Sequence, residues 1–164
     1  MNVGYLKMSV ALLVFACGAA LAGQAVDETW DLDMDATVSI ENIAGRIDIE
    51  GWDQAKAQLT GELGDSVDEL EISASDSSLK INVDNRNSRN IDSTVLRLMV
   101  PKGVNIDATS ISADISVNKL ENDKLSASSV SGDVEIDISS KRITIESVSG
   151  DVNFSGQTER ISAE

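Results

Sequence analysis

The 164-residue chain contains no histidine, one cysteine and one proline. Without histidine it lacks the commonest general base near neutral pH and the commonest ligand of transition metals. Ser-His-Asp and Cys-His catalysis are therefore impossible within this chain. Its cysteine, Cys17, lies in the N-terminal segment. Cleavage after that segment would leave a mature chain without disulfides, thiol chemistry or cysteine-bound zinc.

Aromatic residues and positive charges are also scarce. Aromatics make up 3% of the chain, so a core must be built from Ile, Val, Leu and Ala. Lys and Arg total 13 against 28 Asp and Glu, for a formal net charge of −15. Such a chain should repel nucleic acid and anionic lipid headgroups. The sequence also shows no cluster of Lys or Arg that could neutralise an acidic sugar.

Residues 1–22 have the character of a secretory signal peptide. Lys7 precedes an apolar run that ends in small residues, and cleavage is expected after Ala22 or Ala25. The run is shorter than the ~20 residues needed to cross a bilayer, so no transmembrane span is expected in the mature chain. Cleavage just before Cys17 is the alternative and would provide a lipid anchor, although bulky Phe15 makes that signal imperfect.

A short phrase returns along the chain at a nearly fixed period. Ser-Val-Ser-Gly-Asp-Val occupies 129–134 and 147–152, a weaker copy occupies 110–115, and a distant one occupies 42–47. Two alternating apolar and polar stretches accompany each C-terminal copy, starting at 106, 125, 143 and 161. Alternation predicts half-buried strands, and a fixed period predicts a stacked architecture. Apolar residues on both sides of Ser-Gly-Asp within the phrase, such as Val130 and Val134, are expected to enter one narrow core.

The phrase itself predicts a corner between two strands. Gly132 and Gly150, with Gly45 in the distant copy, allow a tight turn at little steric cost. Ser131 and Ser149 can hydrogen-bond nearby backbone there. Residues 27–164 are therefore expected to form one all-β domain, a β-solenoid or β-helix-like stack of 18–19-residue coils with irregular N-terminal strands.

The N-terminal half is less regular but also alternates. Short strands are expected around 30–32, 38–41, 47–50, 70–72, 79–83 and 95–98, with a turn at 101–103. A single helical turn is conceivable at 64–69, and an exposed loop is expected at 84–93. Because the chain ends just before another copy of the phrase would fall, we expect the natural protein to continue and the open end to pair with another chain.

Three features in this order resemble a family of bacterial β-strand-repeat envelope proteins labelled putative adhesins. They are Ile-Ala-Gly-Arg-Ile-Asp-Ile-Glu-Gly-Trp at 43–52, Val-Pro-Lys-Gly-Val at 100–104 and the tandem Ser-Val-Ser-Gly-Asp-Val phrases, all after a signal peptide. The resemblance covers roughly residues 27–164. It implies a β-solenoid in the periplasm or on the cell surface, and it implies no catalytic residues and no cofactor.

Asp114, Asp133 and Asp151 occupy the same place in successive copies and are weak candidates for a cation column. Stacked carboxylates about 5 Å apart could attract calcium; alternatively, each aspartate caps its own turn. Arg46 holds this place in the distant copy and would partly neutralise the column.

Serines recur in two columns beside the aspartates, and their hydroxyls could bind a sugar or form a hydrogen-bonded corner. Their members are Ser112, Ser131 and Ser149, and Ser110, Ser129 and Ser147. Trp52 could stack on a sugar or cover the end of the core, and Trp30 is expected to cap the first layer.

Acid pairs such as Asp133 and Glu135 invite comparison with polysaccharide hydrolases, which need two carboxylates in a cleft. In so acidic a chain, such pairs arise by chance. The sequence therefore favours a non-enzymatic exported protein that acts as an adhesin or binds a surface polysaccharide. The alternative is a periplasmic scaffold or signalling-associated protein that binds another envelope protein, and a carbohydrate-active enzyme is a distant third.

Overall fold

The structure, a computed structural model, describes residues 24–65, 67, 69–84 and 93–164. Over these ranges the regular secondary structure consists of nine β-strands without a helix, which confirms the all-β expectation. The strands are β1 (Gln24–Asp31), β2 (Thr37–Trp52), β3 (Lys56–Leu63), β4 (Glu69–Ser75), β5 (Ser78–Asp84), β6 (Thr94–Pro101), β7 (Asn105–Ser129), β8 (Val134–Ser147) and β9 (Val152–Ala163).

Several sequence expectations fall outside these residues. The signal peptide and Cys17 lie in the N-terminal part that the structure does not describe, as does most of the expected loop at 84–93. Two residues of the suggested helical turn at 64–69 also lie outside. In the part of the chain that the structure does describe, no helix has the length and hydropathy to cross a bilayer.

One mixed sheet joins all nine strands, in the order β1-β3-β6-β2-β7-β8-β9, with β5 also paired to β2 and β4 to β5. The pairs β1–β3, β3–β6 and β4–β5 are antiparallel. The pairs of β2 with β5, β6 and β7 are parallel, and so are β7–β8 and β8–β9. Parallel pairing therefore runs from β2 through the C-terminal strands, while the antiparallel pairs lie among β1 and β3–β6.

The parallel registers reproduce the alignment of the sequence copies. Ile115 pairs with Val134, and Val134 pairs with Val152. Leu125, Ile143 and Ile161 pair in the same way, after an irregularity between Asn118 and Glu121. The distant copy also joins this arrangement, because residues 44–47 pair with 112–115. A residue therefore meets its equivalent from the next copy, as the period predicts.

Alternate residues of these strands form one apolar core. On β8, Val134, Ile136 and Ile143 are at most 1% exposed, while Glu135 and Asp137, next to the first two, are polar and face solvent. Burying one such side chain contributes about 1.5–3 kcal/mol, which is why Ile and Val suffice without a central aromatic residue. Val152 and Ile161, the equivalents on β9, are 39% and 46% exposed because no described strand lies beyond β9.

The structure contradicts one expectation about this core. Ile111, Val130 and Val148, the apolar residues before each corner, are 50%, 45% and 81% exposed rather than buried. The serine before each of them turns inward instead; Ser110 and Ser129 are 3% and 4% exposed. The alternation of buried and exposed residues therefore shifts by one residue at the corner. The serine takes the buried position because its hydroxyl makes a hydrogen bond to the backbone there.

Candidate functional site

The corner between strands is held by the buried serines. Ser110 Oγ accepts a hydrogen bond from the Ala113 N–H at 2.6 Å and donates to the Ala113 carbonyl at 2.8 Å. Ser129 Oγ accepts from the Gly132 N–H at 2.9 Å. Ser147, in the same column, has a buried Oγ without a hydrogen-bond partner among the described residues. This serine column is part of the frame and does not offer its hydroxyls to a ligand.

Two glycines of the phrase allow neighbouring strands to come close. A Cβ on Gly132 would lie 2.1 Å from the Ala113 carbonyl oxygen, and one on Gly150 would lie 2.4 Å from the Gly132 oxygen. Gly45 has a φ of +116°, a conformation that side chains disfavour, and its Cβ would lie 2.0 Å from the Thr94 oxygen. Glycine is therefore needed at these positions because the neighbouring backbone leaves no room for a Cβ atom.

The three aspartates form a column, and two of them bind backbone. Asp114 Oδ1 accepts from the Asp133 N–H at 3.0 Å, and Asp133 Oδ1 accepts from the Asp151 N–H at 2.9 Å. Each of these carboxylates thus bonds the next strand rather than its own turn. No group of three metal-ligating His, Cys, Asp or Glu side chains occurs in the described ranges.

Arg46 pairs in register with Asp114, as the sequence alignment requires. Its Nε donates to Asp48 Oδ1 at 2.7 Å, and this hydrogen bond is the main reason that the pKa of Arg46 is raised. Asp114 and Glu135 raise the pKa of Arg46 by smaller amounts. The guanidinium therefore adds a positive charge at one end of the aspartate column.

An exposed apolar column lies beside the aspartates. We call Ile111, Val130 and Val148 the apolar column; they are at least 45% exposed. The Ser131 N–H donates to the Ile111 carbonyl, and the Ser149 N–H donates to the Val130 carbonyl, both at 2.9 Å. Backbone pairing therefore keeps the column aligned, with exposed Ser131 and Ser149 beside it.

The structure also assembles a column of positive charges that the sequence analysis missed. Lys124 pairs with Arg142, and Arg142 pairs with Arg160. We call these three exposed residues the cation column. The expectation that no basic cluster exists was wrong, because residues 18 apart in the chain become neighbours across parallel strands. The signal was present in the alignment, since each cation directly precedes one of the starts at 125, 143 and 161.

A repeated hydrogen bond shapes the backbone at each cation. The polar side chain two residues earlier donates to the carbonyl of the basic residue. The three bonds run from Asn122 to Lys124 at 3.2 Å, from Ser140 to Arg142 at 3.2 Å and from Thr158 to Arg160 at 3.0 Å. These bonds hold three equivalent bends, and each bend carries its cation on the surface.

A neighbouring column carries alternating charges that attract one another. Lys141 lies between Asp123 and Glu159, and its Nζ is 2.6 Å from Asp123 Oδ1. The hydrogen bond to Asp123 is the main cause of the raised pKa of Lys141, and Glu159 raises the pKa of Lys141 by less. By contrast, the cation column makes no ion pair with any acid in the described ranges.

Both columns line an open groove of about 630 Å³. The groove also contains Thr37, Asn105, Ile106 and Asp107. Asn105 Oδ1 accepts a hydrogen bond from the Lys124 N–H at 2.9 Å, which links two residues of the groove lining. The arrangement can hold an anion by charge and a polar ligand by hydrogen bonds.

The two tryptophans lie elsewhere. Trp52 is half-buried, and its Nε1 donates to the Lys56 carbonyl at 2.8 Å. Trp30 is also half-buried and packs against the core. Asp133 and Glu135 are both exposed.

Comparison with known proteins places the chain in a family. Residues 30–160 match the Toastrack DUF4097 family, and the protein belongs to it. This confirms the resemblance to bacterial adhesin-like envelope proteins. Among curated proteins, no relative gives a significant match.

Solved structures are similar to the chain at low sequence identity. A protein described as a putative adhesin from Bacteroides fragilis is 15% identical, with a TM-score of 0.54, over 84% of this chain and 65% of that one. A putative cell adhesion protein from Clostridium sporogenes is 12% identical, with a TM-score of 0.47, over 76% and 73% of the two chains. A putative lipid binding protein from Parabacteroides distasonis is 16% identical, with a TM-score of 0.34, over 86% and 78%. At 15% identity, the likeness to the Bacteroides fragilis protein concerns the fold alone.

Proposed function

We propose that this protein is a non-enzymatic, exported protein of the bacterial cell envelope that binds a surface polymer through columns of exposed side chains. The observation that carries the proposal is the parallel register, which stacks several exposed residue types along β7, β8 and β9, the cation column among them. Neighbouring strands lie about 4.8 Å apart, so the surface has a periodic pattern of binding groups. A ligand made of repeating units is the natural counterpart of such a surface.

The same register supports a β-solenoid. Bonded residues such as Asp114 and Asp133, and then Asp133 and Asp151, are 19 and 18 residues apart. A chain that returns to the same position after each copy is built like a stack of repeats, in which each repeat contacts its neighbours. The antiparallel strands β1, β3 and β6 would then cover one end of the stack.

Two further observations support a binding role without catalysis. Asp114 and Asp133 already accept backbone hydrogen bonds, so each has a structural task. The Bacteroides fragilis protein with the same fold is described as a putative adhesin. In this proposal the signal peptide at residues 1–22 exports the chain, with Cys17 as the alternative lipid attachment site.

The test is protease treatment of intact cells, followed by detection with an antibody to β7–β9. Digestion on intact cells, with a periplasmic marker protein preserved, would support a surface polymer-binding protein. Protection until the outer barrier is opened would overturn the surface assignment and favour a periplasmic scaffold.

The apolar column favours one such scaffold role. Ile111, Val130 and Val148 expose apolar surface beside Asp114, Asp133 and Asp151. The partner that fits is an envelope protein with apolar and basic side chains on one face, because a second copy would bring a second row of carboxylates against the first. Loss of one defined partner with Val130→Ser and Val148→Ser, but not with Lys56→Gln, would support this role. Equal retention by all variants would exclude it.

A further inference from the structure

We propose that the cation column of Lys124, Arg142 and Arg160 binds a short stretch of an acidic polysaccharide that carries a negative charge on each successive sugar. This inference rests on the proposed function and names the class of polymer. It assigns a ligand to a place on this acidic surface where three positive charges meet without an ion pair to a described acid.

The three charges of the column are regularly spaced. Lys124, Arg142 and Arg160 hold equivalent positions on adjacent parallel strands, so their backbones are about 4.8 Å apart. The column therefore extends over roughly 10 Å, the length of a few sugar units. Like charges at this spacing repel each other, and a row of anions along the column would replace that repulsion with attraction.

Within the part of the chain that the structure describes, the column has no counter-ion of its own. Its neighbour Lys141 is paired with Asp123 at 2.6 Å, whereas the described residues offer the three column cations no ion pair. The protein has 13 basic residues against 28 acidic ones, so a cluster of three basic residues is unusual on its surface and indicates a binding role. Arginine suits this use because its planar guanidinium can bind a carboxylate or sulfate through two hydrogen bonds.

All three column cations line the groove. Its volume of about 630 Å³ lies within the range of ordinary small-ligand sites. Thr37 and Asn105 line it and can hydrogen-bond sugar hydroxyls, while Asp107 and Glu159 add negative charge to its lining. Because these acids repel anions elsewhere in the groove, we expect binding only of a ligand whose negative charges lie against the three cations.

The composition of the groove also argues against nucleic acid. Its lining contains no aromatic side chain on which a base could stack. The net charge of −15 repels a long polyanion. Because charges are screened beyond about 8 Å at physiological salt, the column can still attract a chain segment that lies directly in the groove.

The experiment is titration calorimetry of the purified protein with size-defined oligosaccharides. The probes are a uronic acid trisaccharide, a sulfated trisaccharide of similar size, a neutral trisaccharide and inorganic phosphate. We expect the carboxylated or the sulfated sugar to bind, weaker binding at 0.5 M salt, and no binding of the neutral sugar. The stronger of the two acidic probes identifies the anion. Binding of phosphate as tight as that of the sugars would overturn the polymer assignment.

Variants test the column itself. Arg142→Gln and Arg160→Gln should each weaken binding at least tenfold, and the double variant should abolish it. Lys56→Gln, at an exposed lysine on β3, is the matched control and should bind normally. Unchanged thermal unfolding would show that the variants are folded. Normal binding by the double variant would overturn the proposal.

A second readout separates this inference from the proposed function. Cell-surface polymer from the source bacterium is immobilised and incubated with the unchanged protein and the double variant. Binding by both would exclude the cation column but retain the polymer-binding function. Binding by neither would overturn both. Binding by the unchanged protein alone would support both.

Discussion

Asp133 and Asp151 are joined by a hydrogen bond of 2.9 Å in which the Asp133 carboxylate accepts from the Asp151 backbone N–H. Asp114 makes the equivalent bond to Asp133 at 3.0 Å. A hydrogen bond to an aspartate carboxylate thus links these neighbouring repeats at their corners. This role accounts for the recurrence of aspartate in the phrase.

Removing this carboxylate should destabilise the fold. Asp133→Ala should lower the free energy of unfolding by about 1–2 kcal/mol, because the bond to a charged group is lost from an exposed corner. Asp133→Asn keeps an acceptor oxygen and should cost less. The measurement is urea unfolding, with exposed Asp137→Ala as the control. A rise in the melting temperature on adding calcium, abolished by Asp133→Asn, would contradict this structural role.

The two serine columns should respond very differently to substitution. Ser110→Ala leaves the buried Ala113 N–H without its 2.6 Å acceptor, so we expect a loss of about 1–3 kcal/mol in the free energy of unfolding. Ser112→Ala, two residues on and exposed, should change it by less than about 0.5 kcal/mol. Denaturant unfolding of the two variants tests the contrast. Equal effects would show that the corner hydrogen bond does not matter.

Gly132 should not tolerate a side chain. A methyl group there would lie 2.1 Å from the Ala113 carbonyl oxygen, so β8 would have to move away from β7. We expect Gly132→Ala to cost about 3 kcal/mol, at the upper end of overpacking effects. Ser131→Ala at the adjacent exposed position is the control, and both can be compared by thermal unfolding. A Gly132→Ala protein as stable as that control would contradict the close approach.

The period of the phrase was enough to predict the pairing of the C-terminal strands. Ile115, Val134 and Val152 are partners because the alignment brings equivalent positions together. The burial of Val130 was predicted wrongly, since simple alternation does not reveal that Ser129 needs the inward position for its bond to Gly132. Local hydrogen bonding outweighed hydropathy at that corner.

Pairings in the N-terminal half could not be read from the sequence. β2 pairs with β5 and β6, and β3 lies antiparallel between β1 and β6, although no repeated phrase links these strands. Alternation identifies a strand but does not specify its partner. The cation column was missed for a different reason. Lys124, Arg142 and Arg160 are far apart in the sequence, and they form a cluster only when their equivalent positions in the repeat are compared.

The exposed edge of β9 should make the 164-residue chain self-associate. Val152 and Ile161 are 39% and 46% exposed, although their partners Val134 and Ile143 are at most 1% exposed. An edge strand with unpaired backbone and apolar side chains is a template for another strand, while the net charge of −15 opposes contact between copies.

Sedimentation velocity over a range of protein concentrations measures this association. It should increase at 0.5 M salt, because salt screens the repulsion between acidic copies. Val152→Lys combined with Ile161→Lys should favour the monomer, since lysine on an edge strand opposes pairing. Val95→Lys is the matched control, because Val95 is 44% exposed but lies on β6, between β3 and β2. A chain that stays monomeric at high concentration and high salt, or an equal effect of Val95→Lys, would show that the β9 edge does not drive association.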